Sequence, residues 1–115
     1  MTDLRQNFFD EMEVLAKEDK DIMVLVGDLG FSFVEGYQKR FSEQFINAGA
    51  AEQNMLGVGA GLARAGKKPY VYSGSLFAVA RPYEFLRDDI AYNNTNVKVV
   101  GTGASGFLGF THNWE

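Results

Sequence analysis

Apolar and polar positions along this chain follow two alternating rhythms. Leu4, Phe8, Met12 and Leu15 recur at helical spacing over residues 3–17, with Thr2 or Asp3 placed to cap the first turn. The charged run KEDKD closes that helix. IMVLVG (22–27) then forms an unbroken apolar run of strand length, rich in β-branched residues. Such a run predicts a strand buried on both faces, as in a parallel sheet. DLGFS reads as a glycine-containing loop, EGYQKRFSEQ as a short helix, and Phe45 with Ile46 as a short strand. A glycine-rich helix over about 51–65 ends at Gly66, which takes the left-handed position past the last turn. KPYVYSG (68–74) predicts a strand with Pro69 tolerated at its start, and Phe77 in SGSLF lies just beyond its end. RPYEFLRDDIAYN (81–93) predicts a helix with Pro82 at its first position and Phe85, Leu86 and Ile90 on one face. VKVVG (97–101) predicts the last strand, and the remainder reads as loop.

Alternation of helix and strand predicts an α/β domain with a mostly parallel sheet. Ligands gather at the carboxyl ends of strands in such sheets, where GDLGFS (27–32), SGSLF (73–77) and GTGASG (101–106) all lie. The 115 residues make one domain or part of one. The chain stops in a loop after a strand, so the reading is a single domain, 1–115, incomplete at its C-terminus.

Composition narrows the function classes. Hydrophobic residues make up 46% and charged residues 23%, ordinary values for a globular protein. A net charge of −4, with the basic residues scattered, excludes a nucleic-acid surface. The lack of cysteine excludes a disulfide frame and a cysteine-based zinc site, and fits a reducing cytoplasm. No apolar run reaches the roughly 20 residues of a membrane helix, and MTDLRQNFF lacks the layout of a signal peptide.

The chemistry concentrates in GAAEQNMLGVGAGLARAG (49–66). Counted from Glu52, Met55, Leu56, Gly59, Leu62 and Ala63 fall on one helix face, so Glu52 stands at the N-terminal end of the buried face. A buried, unpaired carboxylate costs several kcal/mol. The helix N-terminus offsets only about 0.3–1 kcal/mol of that. A hydrogen-bonding partner, from protein or ligand, must supply the rest. Glycines 57, 59 and 61 each cost about 1 kcal/mol relative to alanine, which predicts close approach of another backbone. The pattern also suits a tightly packed core helix with an acid in its first turn.

Other motifs carry less. GTGASG fits G-x-G-x-x-G after a strand, but a dinucleotide fingerprint requires a helix next and an acid about 20 residues on. Only nine residues follow Gly106, without helical pattern, so a nucleotide site is excluded. His112 is the single histidine, which argues against a histidine-based metal site within the chain. Phe77 suits either core packing or stacking on a flat ligand.

Taken in order and spacing, LVGDLGFS, RFSEQFINAGAAEQNMLGVGAGLARAGKKPYVYS, LFAVARPYEFLRDDIAYNNTNVKVVGTGASG and GFTH resemble the pyrimidine-binding domain of transketolase-like thiamine diphosphate enzymes. The resemblance runs almost end to end and implies a doubly wound α/β fold with helices on both faces of the sheet. Glu52 matches the family glutamate that hydrogen-bonds N1′ of the cofactor's aminopyrimidine. That contact favours the imino form of the ring, which takes the proton from C2 of the thiazolium. Phe77 matches the aromatic that packs on the ring, and Asp28 an aspartate beside the cofactor. Arg5 and Ser32 match the residues that hold a sugar phosphate in transketolases proper, and His112 the substrate-facing histidine of the TH motif.

Two departures bear on substrate. Leu108 stands where some transketolases carry an aspartate, and a second histidine in that loop is absent. The implied activity is transfer of a two-carbon ketol unit between sugar phosphates, without naming them. The family holds the cofactor's diphosphate and Mg²⁺ on a separate domain with a G-D-G…N motif, absent here. The resemblance therefore implies a partner subunit or domain, a homo- or hetero-oligomer, and no activity alone. Two alternatives stay open. One is another thiamine diphosphate enzyme, of the deoxyxylulose-phosphate synthase or 2-oxo acid dehydrogenase β-subunit type. The other is a non-catalytic interaction module.

Overall fold

A computed structural model describes residues 3–103 of the chain. Helix α1 (Leu4–Glu18) begins at Asp3, whose carboxylate accepts a hydrogen bond from the Arg5 backbone N–H at 2.9 Å. Its buried stripe is Phe9, Met12 and Ala16, flanked by Phe8 and Leu15. The expected stripe is thus rotated, and Leu4 is 82% exposed. Strand β1 (Ile22–Val26) is buried at every position. Helix α2 (Val34–Arg40) is shorter than EGYQKRFSEQ predicts. It stops at Phe41, and a 3₁₀ turn (Ser42–Gln44) leads into β2 (Phe45–Asn47). The buried Gln44 side chain closes that turn by donating to the backbone oxygens of Asp19 and Ile22, both at 3.0 Å.

Helix α3 (Glu52–Arg64) and strand β3 (Lys68–Gly74) fall where expected. SGSLF stands at the end of β3 as expected, and the chain turns there at Gly74 directly into a short helix, α4 (Ser75–Val79). The next segment differs. The helix expected over 81–93 is instead a single turn, α5 (Tyr83–Phe85), continued as a wider π-helical stretch (Leu86–Tyr92). Pro82 caps α5 rather than opening it. Strand β4 (Lys98–Thr102) follows. Gly101 has no room for a side chain, since a Cβ there would stand 3.1 Å from the Ser75 Cα. That close approach seats the start of α4 on β4, where the Ser75 hydroxyl donates to the Thr102 carbonyl at 3.1 Å.

Among the described residues the sheet has four parallel strands in the order β2-β1-β3-β4. Successive side chains of a strand point to opposite faces. Ile22, Val24, Val26 and Tyr72 meet α1 and α2 on one face. Met23, Leu25 and Val71 meet Met55, Leu56 and Ala60 of α3, and Ile90, on the other. Helices on both faces of a parallel sheet give the doubly wound α/β architecture. The chain leaves β1 toward β2 and then crosses back over β1 to β3. The direction of winding therefore reverses between β1 and β3, and the crevice at their carboxyl ends is where such folds bind ligands.

Tyr37 of α2 is fully buried against Phe41 and Phe45, and its hydroxyl has no hydrogen-bond partner among the described residues. Burial pushes its phenol up to about 12, from an ordinary value of about 10. The folded chain thus holds the proton more tightly than the unfolded chain. The stability tied to the neutral phenol is complete below pH of about 10 and is lost as pH rises through about 12. Melting temperature is expected to fall across this window. In Tyr37→Phe, which removes the orphaned hydroxyl, that fall is expected to be smaller and neutral-pH stability equal or higher. Parallel pH-dependent melts of the two chains check this, and superimposable profiles would refute it.

Candidate active site

Gly27 and Ser73 sit side by side at the winding reversal, one residue past the paired Val26 and Tyr72. The Gly27 N–H donates to the Tyr72 carbonyl at 3.2 Å. By strand alternation both positions face α3. Glu52, the first residue of α3, points into the same space: a Cβ built on Gly27 would stand 3.2 Å from Ser73 Oγ and 3.6 Å from Glu52 Oε1. Glycine at 27 therefore leaves room for a carboxylate and a hydroxyl together. Ser73 is fully buried, and its hydroxyl has no partner among the described residues.

Glu52 is 2% exposed. Its position at a helix start relieves about 0.3–1 kcal/mol of the burial cost. Arg81 supplies the partner, its Nη1 standing 3.1 Å from Glu52 Oε2. The same guanidinium lies over the Phe77 ring, 4.2 Å from its centroid. Phe77 and Arg81 are four residues apart across the end of α4, a spacing that brings side chains together on one helix face. The Ala80 N–H donates to the Leu76 carbonyl at 2.8 Å and continues the helical path to Arg81. Glu52, Ser73, Phe77 and Arg81 thus form one constellation at the carboxyl end of β1 and β3.

Asp28 continues β1 with a left-handed backbone (φ 55°), a conformation aspartate tolerates better than most residues. It is exposed and turned toward β2: its N–H donates to Asn47 Oδ1 at 3.1 Å, and Asn47 Nδ2 donates to Asp28 Oδ1 at 3.2 Å. Asn47 Oδ1 also accepts from the Gly49 N–H at 2.9 Å, tying the loop before Glu52 to the end of β1.

Arg5 lies on the other face of the sheet. With Leu29, Gly30, Phe31, Tyr72 and Thr102 it lines a depression of about 200 Å³. Its guanidinium donates to both carboxylate oxygens of Asp3, at 3.0 and 2.6 Å, and stands 4.5 Å from the Phe33 ring centroid. This hydrogen bonding brings the exposed Asp3 carboxyl down to about 2. Ser32 is exposed, with φ 73°, and its N–H donates to Glu35 Oε1 at 3.0 Å. It is not among the residues lining the depression. The structure thus brings Glu52 and Phe77 together, places Asp28 at the adjoining strand end, and sets Arg5 across the sheet. His112 lies outside the described residues, as do Leu108 and the rest of the GFTH segment.

The glycine expectation is revised. Among the described residues, Gly57 and Gly59 are approached not by another backbone but by side chains, Phe85 in one case and Val71 with Val97 in the other. A Cβ on Gly61 would have no neighbour within 4 Å among the described residues. Ser73, Arg81 and Asn47 escaped the sequence reading. Ser73 was legible in principle only as a polar residue two positions from Val71, and so on the same face of the strand. Arg81 carried no local signal beyond its charge.

A four-stranded parallel sheet with helices on both faces and a buried, ion-paired carboxylate at its winding reversal defines a doubly wound α/β domain. Residues 1–112 match the family model described as the transketolase pyrimidine-binding domain, and the chain belongs to that family. It is 41% identical over 112 residues to a subunit of the apulose-4-phosphate transketolase of Phocaeicola vulgatus, covering 94% of this chain and 36% of that protein. It is 39% identical over 103 residues to a 6-deoxy-6-sulfo-D-fructose transketolase subunit of a Clostridium species, covering 86% and 31%. Among solved structures, a split-gene transketolase described as an inactive β4 tetramer superposes with a TM-score of 0.80 at 39% identity, covering 89% of this chain and 34% of that one. The chain spans about a third of the length of these relatives.

Proposed function

We propose that this chain supplies the pyrimidine-binding half of a split, thiamine diphosphate-dependent transketolase that moves a two-carbon ketol unit between sugar phosphates. The observation that carries this reading is the Glu52 carboxylate, 2% exposed at the winding reversal and engaged by the Arg81 guanidinium, which also covers the Phe77 ring. A flat nitrogen heterocycle fits these groups. Glu52 would accept or donate a proton at a ring nitrogen, Phe77 would offer a ring surface, and the orphaned Ser73 hydroxyl would offer a further hydrogen bond. When bound, thiamine diphosphate supplies the carbanion and the electron sink of ketol transfer.

The remaining chain groups take supporting roles in this reading. Asp28 closes the site at the strand end. Arg5, with Ser32, holds the sugar phosphate, and an arriving phosphate competes with Asp3 for the guanidinium. His112, by its match to the family's TH motif, is assigned the substrate-side proton transfer. A diphosphate-binding partner carries the Mg²⁺, and the active oligomer works in a reducing cytoplasm in carbohydrate metabolism. Among the described residues no helix is long and apolar enough to cross a membrane.

Mixing the chain with a diphosphate-binding subunit of a split transketolase is expected to give ketol transfer that depends on thiamine diphosphate, with neither component active alone. A panel of phosphorylated ketose donors then assigns the substrate. Stable association without turnover of any donor would refute the catalytic reading and leave an interaction module.

A further inference from the structure

Resting on the reading just given, we propose that Arg81 is an internal stand-in for the cofactor ring, filling its slot until the ring displaces it. The guanidinium engages both groups assigned to the heterocycle: it donates to Glu52 Oε2 at 3.1 Å and lies 4.2 Å from the Phe77 ring centroid. Guanidinium and a protonated aminopyrimidine share the features these groups recognise. Both are planar, delocalised, N–H donating toward a carboxylate, and suited to the face of an aromatic ring.

Position favours displacement. Glu52 is fixed at a helix start and buried, whereas the Arg81 side chain is 48% exposed at the end of the short helix α4. Only the arginine side chain need move for the slot to open. The occupied slot also removes a penalty, because a chain with an empty slot would hold Glu52 buried without a partner. Thiamine diphosphate then competes with a tethered group, and its apparent affinity falls by the fraction of chains in which Arg81 is out.

The test uses the full chain, its Arg81→Ala and Arg81→Lys variants, and 4-amino-2-methylpyrimidine as the probe, with binding followed by calorimetry and NMR. Arg81→Ala is expected to bind the probe about ten- to a hundredfold more tightly than the unaltered chain, the scale of one charge-assisted hydrogen bond no longer to be broken. Arg81→Lys, which keeps charge but loses the planar fork, should fall between them. In the unaltered chain, saturating probe should abolish the nuclear Overhauser contact between the Arg81 side chain and the Phe77 ring. Equal or weaker binding by Arg81→Ala overturns the proposal, as does an Arg81–Phe77 contact that persists with probe bound.

Should Arg81→Ala fail to fold, the displacement measurement and the lysine variant still decide the matter. The proposed function stands or falls separately. Cofactor-dependent turnover with a partner subunit, alongside unchanged probe binding in Arg81→Ala, sinks the stand-in alone. Probe displacement of Arg81 without turnover under any conditions sinks the catalytic reading alone.

Discussion

Replacing Glu52 by glutamine is expected to lower ketol transfer by the reconstituted enzyme about 10²–10⁴-fold, the usual contribution of a positioned proton-handling group. Glutamine keeps the shape of the side chain and can still accept a hydrogen bond from Arg81 through its amide oxygen, so the fold should survive. It cannot exchange a proton with a ring nitrogen. The loss should therefore fall mainly in kcat, with the melting temperature and association with the partner subunit little changed. Glu52 is 2% exposed, so no bulk-water path substitutes for its carboxylate. Near-full turnover by the glutamine variant would remove Glu52 from the mechanism. An inactive variant that also fails to fold would show only that the ion pair is structural, so circular dichroism and sizing accompany the kinetics.

Truncating Leu25 to alanine is expected to destabilise the domain by about 2–5 kcal/mol. Leu25 is fully buried in the middle of β1, paired with Ile46 on one side and Val71 on the other. It packs in the cluster that contains Met55 and Leu56. A cavity there opens directly beneath the helix that carries Glu52. For a domain of about 100 residues each kcal/mol shifts the melting temperature roughly 4–8 °C, so the loss should be at least about 8 °C. Leu4→Ala provides the contrast. Leu4 belongs to the same kind of apolar pattern but is 82% exposed, and its truncation should stay within about 0.5 kcal/mol. Similar melting shifts for the two variants would contradict the described core.

Much of the fold was legible along the chain because its signals are local. The run IMVLV is apolar at every position, and a strand buried on both faces has no other composition open to it. Gly66, with φ 92°, marks the end of α3 as its place after the last periodic residue predicts. The errors lie where spacing is ambiguous or where packing overrides it. Leu4 follows the helical rhythm, yet the face of α1 that buries Phe9, Met12 and Ala16 leaves it exposed. The pattern places SGSLF at a strand end without an element of its own, but Ser75 is held against β4 by a contact with Thr102, twenty-seven residues away in sequence, and the segment coils into α4. The stretch 81–93 has a helical face, but it is divided into one α-helical turn and a π-helical segment.

The site divides in the same way. Helical periodicity alone put an acid on the buried side of α3, because residue type and spacing are enough to count faces of a helix. Neither could say what meets that acid. Gly27, Ser73 and Arg81 come from three separate segments, and only the order β2-β1-β3-β4 sets the ends of β1 and β3 beside the start of α3. Arg81 gave no pattern to read, since a single charge in a sequence does not reveal its partner. Its pairing with Glu52 is a long-range contact across twenty-nine residues, made by the packing of α4 after β3. The glycines of α3 show the limit most plainly: composition announced a close approach, and tertiary packing determined that side chains of the same chain, Phe85, Val71 and Val97, make it.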